Sequence, residues 1–266
     1  MRTILESSKT KLARRVIEIF EFFDGETQTA RAADIVRRYG HPASSTAELL
    51  TSLVEMGLLY KDTRSRLYSP TPRLAALGGA AQPEIIRDGR LFAFADRFAR
   101  TSRYGIALFG MVGTHVQMFR WTPGGTASSA AFGCGASERL AASTAGLLII
   151  STLPADQGRR LLWRLNAEAP AEEKFSPSEM AARVAEYGRK GHATGPAGFS
   201  PDTQVTAVLL PFRDDGRPLA LGAIHPAHAT VDADALVASL TRGIDQCLSP
   251  EERGQITDLG PRAIAV

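Results

Sequence analysis

Three successive helical patterns, followed by two short β-like runs, fill the first 70 residues of this 266-residue chain, and this order constrains its fold more than any other feature. Apolar side chains recur at helical spacing between Leu12 and Phe23 and predict a first helix, which Asp24-Gly25 ends. A second amphipathic helix is predicted from about Ala30 to Tyr39.

The third helix and the hairpin after it complete a recognisable module. This helix is predicted to open near Ser44 or Ser45, either of which can cap its first turn, and to end at Gly57. The two β-like runs, 58–60 and 67–69, flank a polar tip with three cations. Three helices, the last two joined by a turn of about four residues, and then a basic hairpin form a winged helix-turn-helix.

In such modules the N-terminal residues of the second helix of the pair enter the major groove, and phosphate contacts flank them. The residues expected on that exposed face are Ser44, Ser45, Thr46, Ala47 and Glu48. The cations expected to contact the DNA backbone are Lys61, Arg64, Arg66 and Arg73, with Arg37 and Arg38 as further candidates. No Lys or Arg lies between Ala43 and Met56, so this helix cannot make the common arginine-to-guanine contact.

The positive charge of the chain is concentrated near its beginning. Residues 1–80 hold 12 Lys and Arg against 9 Asp and Glu, whereas the other 186 residues hold 19 of each sign. An excess of this sign is expected where a protein meets phosphate, because bound cations release counterions from nucleic acid. The alternative for this segment is a small helical domain that binds another protein.

A second domain follows a break of small residues at 78–83. Helical spacing returns from Glu84 to Ala99 and predicts a linker helix that continues into the first helix of that domain. Further predicted elements are strands at 104–111 and 115–121, a buried helix at 138–150, helices that start at Pro154 and at Ser176, strands at 203–212 and 217–225 around the turn 214–216, and a helix at 232–247. Strand pairs separated by helices predict an α+β sensor fold with an antiparallel sheet.

Three stretches resemble the IclR family of bacterial regulators. Residues 39–59, YGHPASSTAELLTSLVEMGLL, resemble its recognition-helix pattern, and residues 66–78 resemble its wing and linker. Residues 205–224 resemble the last hairpin of its GAF-like effector-binding domain. The resemblance implies a winged helix-turn-helix DNA-binding domain at 8–70, a linker helix at 71–88 and a GAF-like α/β effector-binding domain at 89–250. The family usually has a basic residue where this chain has Glu48.

The resemblance also implies a ligand cavity between the sheet and the helix that begins at Glu138. The residues expected to line it are Ala145, Gly146, Gly195, Thr206, Ala223 and His225. Gly195 stands where family members that bind small carboxylates have an acidic residue, and Ala223 and His225 stand where serines are frequent. We therefore expect a less polar pocket and a larger, aromatic effector.

The function implied is a ligand-responsive transcriptional regulator, most simply a repressor of a catabolic operon. Its expected partners are a double-stranded DNA operator, a small-molecule effector and further copies of the chain in a homodimer or homotetramer. Two other hypotheses stay open: a protein-interaction module with a degenerate winged helix, and an enzyme with a regulatory N-terminal domain.

Candidate catalytic and metal-binding groups are weak. The spacing of His225 and His228 suits two metal ligands, but Pro226 obstructs the geometry. Cys134 lies in a glycine-flanked stretch without a placed histidine, and Gly124-Gly125 lacks a phosphate-binding motif. We expect no catalytic residue, metal or cofactor.

The chain is expected to act in the cytoplasm without contact to a membrane. Its longest apolar run is far too short to cross a bilayer, and its charged first residues contain no signal sequence. The two cysteines, Cys134 and Cys247, are too few for a disulfide framework.

Overall fold

The chain forms two units, Met1–Pro83 and Glu84–Val266. The computed structural model describes residues 8–23, 27–79, 82–125, 133–211 and 217–248. The predicted turns at Asp24-Gly25 and at 214–216 lie outside the described residues.

Unit 1 has the order that the sequence predicts for a winged helix-turn-helix. Its elements are α1 (Ser8–Glu21), α2 (Ala32–Tyr39), α3 (Ala43–Glu55), β1 (Leu59–Lys61), β2 (Tyr68–Pro70) and α4 (Arg73–Gly79). The two strands pair antiparallel with Tyr60 opposite Ser69. One core, which includes Ile19, Ile35 and Leu50, holds the three helices and the hairpin together.

The start of α3 differs from the prediction that a serine caps it. The N-cap is Pro42, with extended backbone at φ −61° and ψ 134°, and it makes no side-chain cap. The hydroxyls of Ser45 and Thr46 instead donate back to the Pro42 carbonyl, over 3.3 Å and 2.9 Å. Proline already holds the φ angle that this position needs, so α3 begins earlier than the serines predicted.

Unit 2 is built on one six-stranded antiparallel sheet. Its strands are β3 (Gly105–Val112), β4 (His115–Thr122), β5 (Ser137–Arg139), β6 (His192–Pro196), β7 (Thr203–Leu209) and β8 (Leu219–Pro226), in the order β5-β4-β3-β8-β7-β6. Its helices are α5 (Glu84–Arg87), α6 (Arg90–Ser102), α7 (Thr144–Ile150), α8 (Ala155–Glu168), α9 (Pro177–Lys190) and α10 (Ala233–Cys247). The α+β class with an antiparallel sheet is confirmed.

Helices cover the sheet on both sides. We call one side the α7 face, where Phe109, Val205 and Ile224 pack with α7, α8 and α9. The other side is the α10 face, where Leu108 and Ala223 pack with α5, α6 and α10. Successive residues of a strand point to opposite faces, so each central strand contributes to both cores.

Two predictions about unit 2 are wrong in detail, and one strand was missed. The helix predicted at 138–150 begins only at Thr144, because Glu138 lies in the edge strand β5 and a 3-10 turn follows at Leu140–Ala142. The continuous helix predicted from Glu84 is two helices, separated at Gly89, whose φ is 76°. Strand β6 was not predicted. By contrast, the predicted cap of α9 is confirmed, since Ser176 Oγ accepts the Glu179 N–H over 3.4 Å.

The contact between α10 and α6 depends on a glycine. A Cβ on Gly243 would lie 2.0 Å from the Phe94 ring, whereas a Cβ on Gly158 of α8 would meet nothing closer than 3.8 Å. We expect Gly243→Ala to lower the free energy of unfolding by about 1–3 kcal/mol through overpacking. Gly158→Ala, the matched control, should raise it by up to about 1 kcal/mol because alanine favours helix. Urea unfolding of the full chain checks both, and equal stability of the two variants contradicts the expected packing.

Candidate functional site

The N-terminal turn of α3 presents a small polar surface. Ser44, Ala47 and Glu48 are exposed there, and Ser45 is partly exposed. Thr46 is 1% exposed, so the expectation that it belongs to this surface is wrong. The helix turns Thr46 to the same side as Leu50 and Leu53, four and seven residues later, and both of those are core residues.

Two polar contacts from α1 reach the segment that opens α3. Arg15 Nη2 donates to Thr46 Oγ1 over 3.0 Å. Glu18 Oε2 lies 2.6 Å from His41 Nε2, and the His41 ring stacks on Tyr39 with centroids 6.1 Å apart. Helix α1 therefore fixes both the turn between α2 and α3 and the first turn of α3. The sequence analysis assigned no role to Arg15 or Glu18. For Thr46 a signal was present, because its spacing with Leu50 and Leu53 indicates that it faces inward.

The hairpin tip between β1 and β2 is organised by Asp62. Its carboxylate accepts the Arg64 N–H over 3.1 Å and the Ser65 hydroxyl over 2.7 Å. Hydrogen bonds from Ser65 lower the pKa of Asp62, so this carboxylate stays ionised. Arg66 closes the turn in a left-handed conformation at φ 58°, and its N–H donates to the Asp62 carbonyl over 2.9 Å. The turn leaves the side chains of Arg64 and Arg66 exposed to solvent.

The remaining predicted cations have different surroundings. Lys61 Nζ lies 5.3 Å from the centroid of the Tyr68 ring, which is cation–π distance. Arg73 is exposed at the start of α4. Arg37 is exposed and forms an ion pair with Asp34 over 3.1 Å, and Arg38 is exposed beside it on α2.

The residues predicted to line one effector cavity lie on both faces of the sheet. Ala145 belongs to the core of the α7 face. On the same side, a Cβ on Gly195 would lie 2.7 Å from Thr144 Oγ1, and a Cβ on Gly146 would lie 2.4 Å from the Leu140 carbonyl. Gly146 and Gly195 thus allow the start of α7 to pack closely against its neighbours.

Thr206, Ala223 and His225 point to the opposite side. Ala223 is in the core of the α10 face, its cross-strand partner is Thr206, and His225 follows two residues later on the same strand. The expectation that these three share a cavity with Ala145 is therefore wrong. A shift of one residue reverses the face to which a side chain points.

The neighbours of those three residues on β7 and β8 do face α7. They are Val205, Gly222 and Ile224, and the Phe109 ring on β3 lies beside Gly222. Phe199 stacks on Phe109 with centroids 5.9 Å apart and planes at 26°.

Two hydroxyls open α7 on this side of the sheet. Ser143 and Thr144 are both buried, and Ser143 Oγ has no hydrogen-bond partner among the described residues. The α7 face thus combines apolar and aromatic side chains with neutral polar groups.

His225 is buried in a polar row on the α10 face. Its Nε2 lies 3.4 Å from Thr206 Oγ1, which in turn accepts the Thr194 hydroxyl over 3.1 Å. The Tyr104 ring lies 5.8 Å away, centroid to centroid. Burial lowers the pKa of His225 below its ordinary value of 6.5.

The other histidine and cysteine candidates do not converge with His225. His228 is exposed, and so is Cys134. No group of three or more His, Cys, Asp or Glu within the described ranges is arranged to hold a metal ion. Of the helices that the structure describes, none has the length and apolar character needed to span a bilayer.

Comparison with known proteins identifies the helical module. Residues 12–63 match the IclR helix-turn-helix domain, which confirms the resemblance seen in the sequence. No curated protein matches the chain.

Solved structures resemble nearly the whole chain. An IclR transcriptional regulator from Alicyclobacillus acidocaldarius superposes with a TM-score of 0.58 at 18% identity, covering 91% of this chain and 98% of that one. An IclR homolog from Microbacterium hydrocarbonoxydans, complexed with 4-hydroxybenzoate, gives 0.56 at 19% identity, covering 89% and 98%. The Thermotoga maritima IclR gives 0.56 at 14% identity, covering 89% and 97%. At these identities the likeness shows the fold alone.

The buried imidazole of His225 predicts a pH dependence of stability. Above its unfolded pKa of about 6.5 the stability is fully present. As the pH falls below that value, the unfolded chain binds a proton that the folded chain does not, so the free energy of unfolding decreases. Between about pH 7.5 and pH 5.5 the wild type should therefore lose more stability than His225→Gln does. Urea unfolding measures this, with His228→Gln as the exposed control, and equal losses in wild type and His225→Gln exclude the effect.

Proposed function

We propose that the chain is a ligand-responsive transcriptional regulator that binds a double-stranded DNA operator through unit 1, because residues 12–63 match the IclR helix-turn-helix domain. The observation that carries the proposal is the pairing of an exposed polar start of α3 with a hairpin tip whose two arginines point into solvent. A helix tip of this kind suits the major groove, and a basic wing suits the phosphates beside it.

Affinity and sequence preference have different sources in this interface. The exposed cations of the wing, Arg64 and Arg66, and Arg73 beside it supply sequence-independent attraction to phosphate. Base reading falls to Ser44, whose hydroxyl can meet either base type, and to Glu48, which can accept from cytosine N4. The chain therefore depends on its wing for binding strength more than a regulator with a basic reading helix does.

We place the effector site on the α7 face of the sheet. Val205, Gly222, Ile224 and the Phe109–Phe199 stack provide an apolar, aromatic surround, and the Ser143 and Thr144 hydroxyls provide neutral polar groups. This composition suits an aromatic ligand with few charges better than a small dicarboxylate or keto acid. The relative crystallised with 4-hydroxybenzoate has the same fold and supports this choice of ligand class.

The other functional expectations stay predictions. Repression of a catabolic operon depends on where the operator lies in the promoter. A homodimer or homotetramer would place two reading heads on a pseudo-palindromic site. A cytoplasmic location agrees with a DNA-binding role.

The wing is tested by replacing Arg64 and Arg66 together with alanine. Losing two phosphate contacts should weaken binding to every duplex roughly tenfold or more and should reduce the salt slope by about two. Fluorescence anisotropy with the DNA upstream of the gene, and with an unrelated duplex, at two salt concentrations gives both quantities. Arg242→Ala, an exposed cation on α10, is the matched control. An unchanged salt slope in the double variant would remove the wing from the interface.

The effector face is tested by a pair of variants on opposite sides of the sheet. With 4-hydroxybenzoate as the probe at about 100 times its Kd, stabilisation of about 2.7 kcal/mol should raise the melting temperature by several degrees. Ser143→Ala should diminish that rise, and His225→Gln should leave it intact. Glyoxylate, which is small and not aromatic, should give no rise. If His225→Gln diminished the rise in melting temperature and Ser143→Ala left it intact, the ligand would lie on the α10 face.

A further inference from the structure

Helix α3, which we call the reading helix, has no cation of its own. Between Ala43 and Glu55 the only charged residues are Glu48 and Glu55, and both are exposed. Since DNA presents a dense row of phosphates, an acidic helix in its groove needs compensating positive charge close by.

A guanidinium from α1 is held at that position. Arg15 Nη2 donates to Thr46 Oγ1 over 3.0 Å, and the Thr46 hydroxyl donates to the carbonyl of Pro42, the N-cap of α3, over 2.9 Å. Arg15 is therefore joined through one buried hydroxyl to the residue at which the reading helix begins. Arg15 itself is partly exposed, so part of its side chain reaches solvent.

The described neighbours of Arg15 leave part of its guanidinium without a hydrogen-bond acceptor. The nearest acid along the same side of α1 is Glu18, which is engaged with His41 over 2.6 Å. Lys11, one turn earlier on α1, is exposed and extends the positive stripe. A guanidinium has five N–H donors, and Thr46 accepts from only one of its nitrogens. Arg15 Nε is buried and has no hydrogen-bond partner among the described residues.

We propose that Arg15 supplies the missing cation of the reading helix by binding a DNA phosphate at the point where α3 enters the groove, with Thr46 as the residue that positions it. This inference rests on the proposed DNA-binding function. The contact is with phosphate rather than with a base, because Arg15 belongs to α1 and lies beside the start of α3. The positive end of the α3 dipole also attracts an anion there. Arg15 thus contributes affinity for any sequence, and Thr46 acts only through Arg15.

The test is anisotropy binding of the full chain to its upstream DNA and to an unrelated duplex across a salt series. Arg15→Gln should weaken binding to both duplexes by the same factor, roughly tenfold, and reduce the salt slope by about one. Arg15→Lys keeps the charge and should keep the slope. Arg242→Ala, on the other unit, should match the wild type.

Thr46→Val separates positioning from contact. It keeps the size of a buried side chain but removes the hydroxyl, so it should weaken binding in the wild-type background and add nothing in the Arg15→Gln background. Melting curves of each variant identify loss of fold, and the weaker binding of Thr46→Val keeps the test valid if Arg15→Gln is unstable. An unchanged slope in Arg15→Gln, or a loss confined to the upstream DNA, overturns the proposal. If the wild type itself shows no salt-dependent binding, both the proposed DNA-binding function and the inference about Arg15 fail.

Discussion

The architecture of unit 2 depends on strands β3 and β8 being buried on both faces. Every residue of β3 from Gly105 to Gly110 and of β8 from Leu219 to His225 is buried. Such strands cannot leave either side to water, so helices must cover both, with α7–α9 on one face and α6 and α10 on the other. Two separate cores result, one on each face. The sheet therefore separates side chains buried on the α7 face from those buried on the α10 face.

That double burial also explains which parts of unit 2 the sequence predicted. The two strong hairpins, β3–β4 and β7–β8, were recognisable from apolar runs around turn residues. The face of each residue was not, because a strand buried on both sides is apolar throughout and shows no alternation from which a register can be read. Without that alternation the residues that face α7 could not be told from their neighbours, and Thr206, Ala223 and His225 lie on the α10 face instead.

The elements that the sequence missed carry little local signal. Strand β6 has the sequence HATGP, with a glycine and a proline and only one β-branched residue, and its extended form comes from pairing with β7. Strand β5 has three residues, too few for a periodicity, so Glu138 was merged with the helix after it. In unit 1 the helical patterns were strong enough to place α1, α2 and α3. The sequence analysis missed that Thr46 faces the core, although its spacing with Leu50 and Leu53 indicates this.

The polar contacts of α1 change how the reading surface should be understood. Helix α1 supplies apolar residues to the core of unit 1, and it also anchors the turn before α3 through Glu18 and its first turn through Arg15. The cations that we propose to contact DNA therefore lie on the neighbours of α3 rather than on α3 itself. Phosphate contacts position a protein on DNA without reading its sequence. If unit 1 binds DNA as proposed, selectivity comes from a few hydroxyl contacts, from Glu48 toward cytosine and from the deformability of the operator, whose backbone the wing would contact.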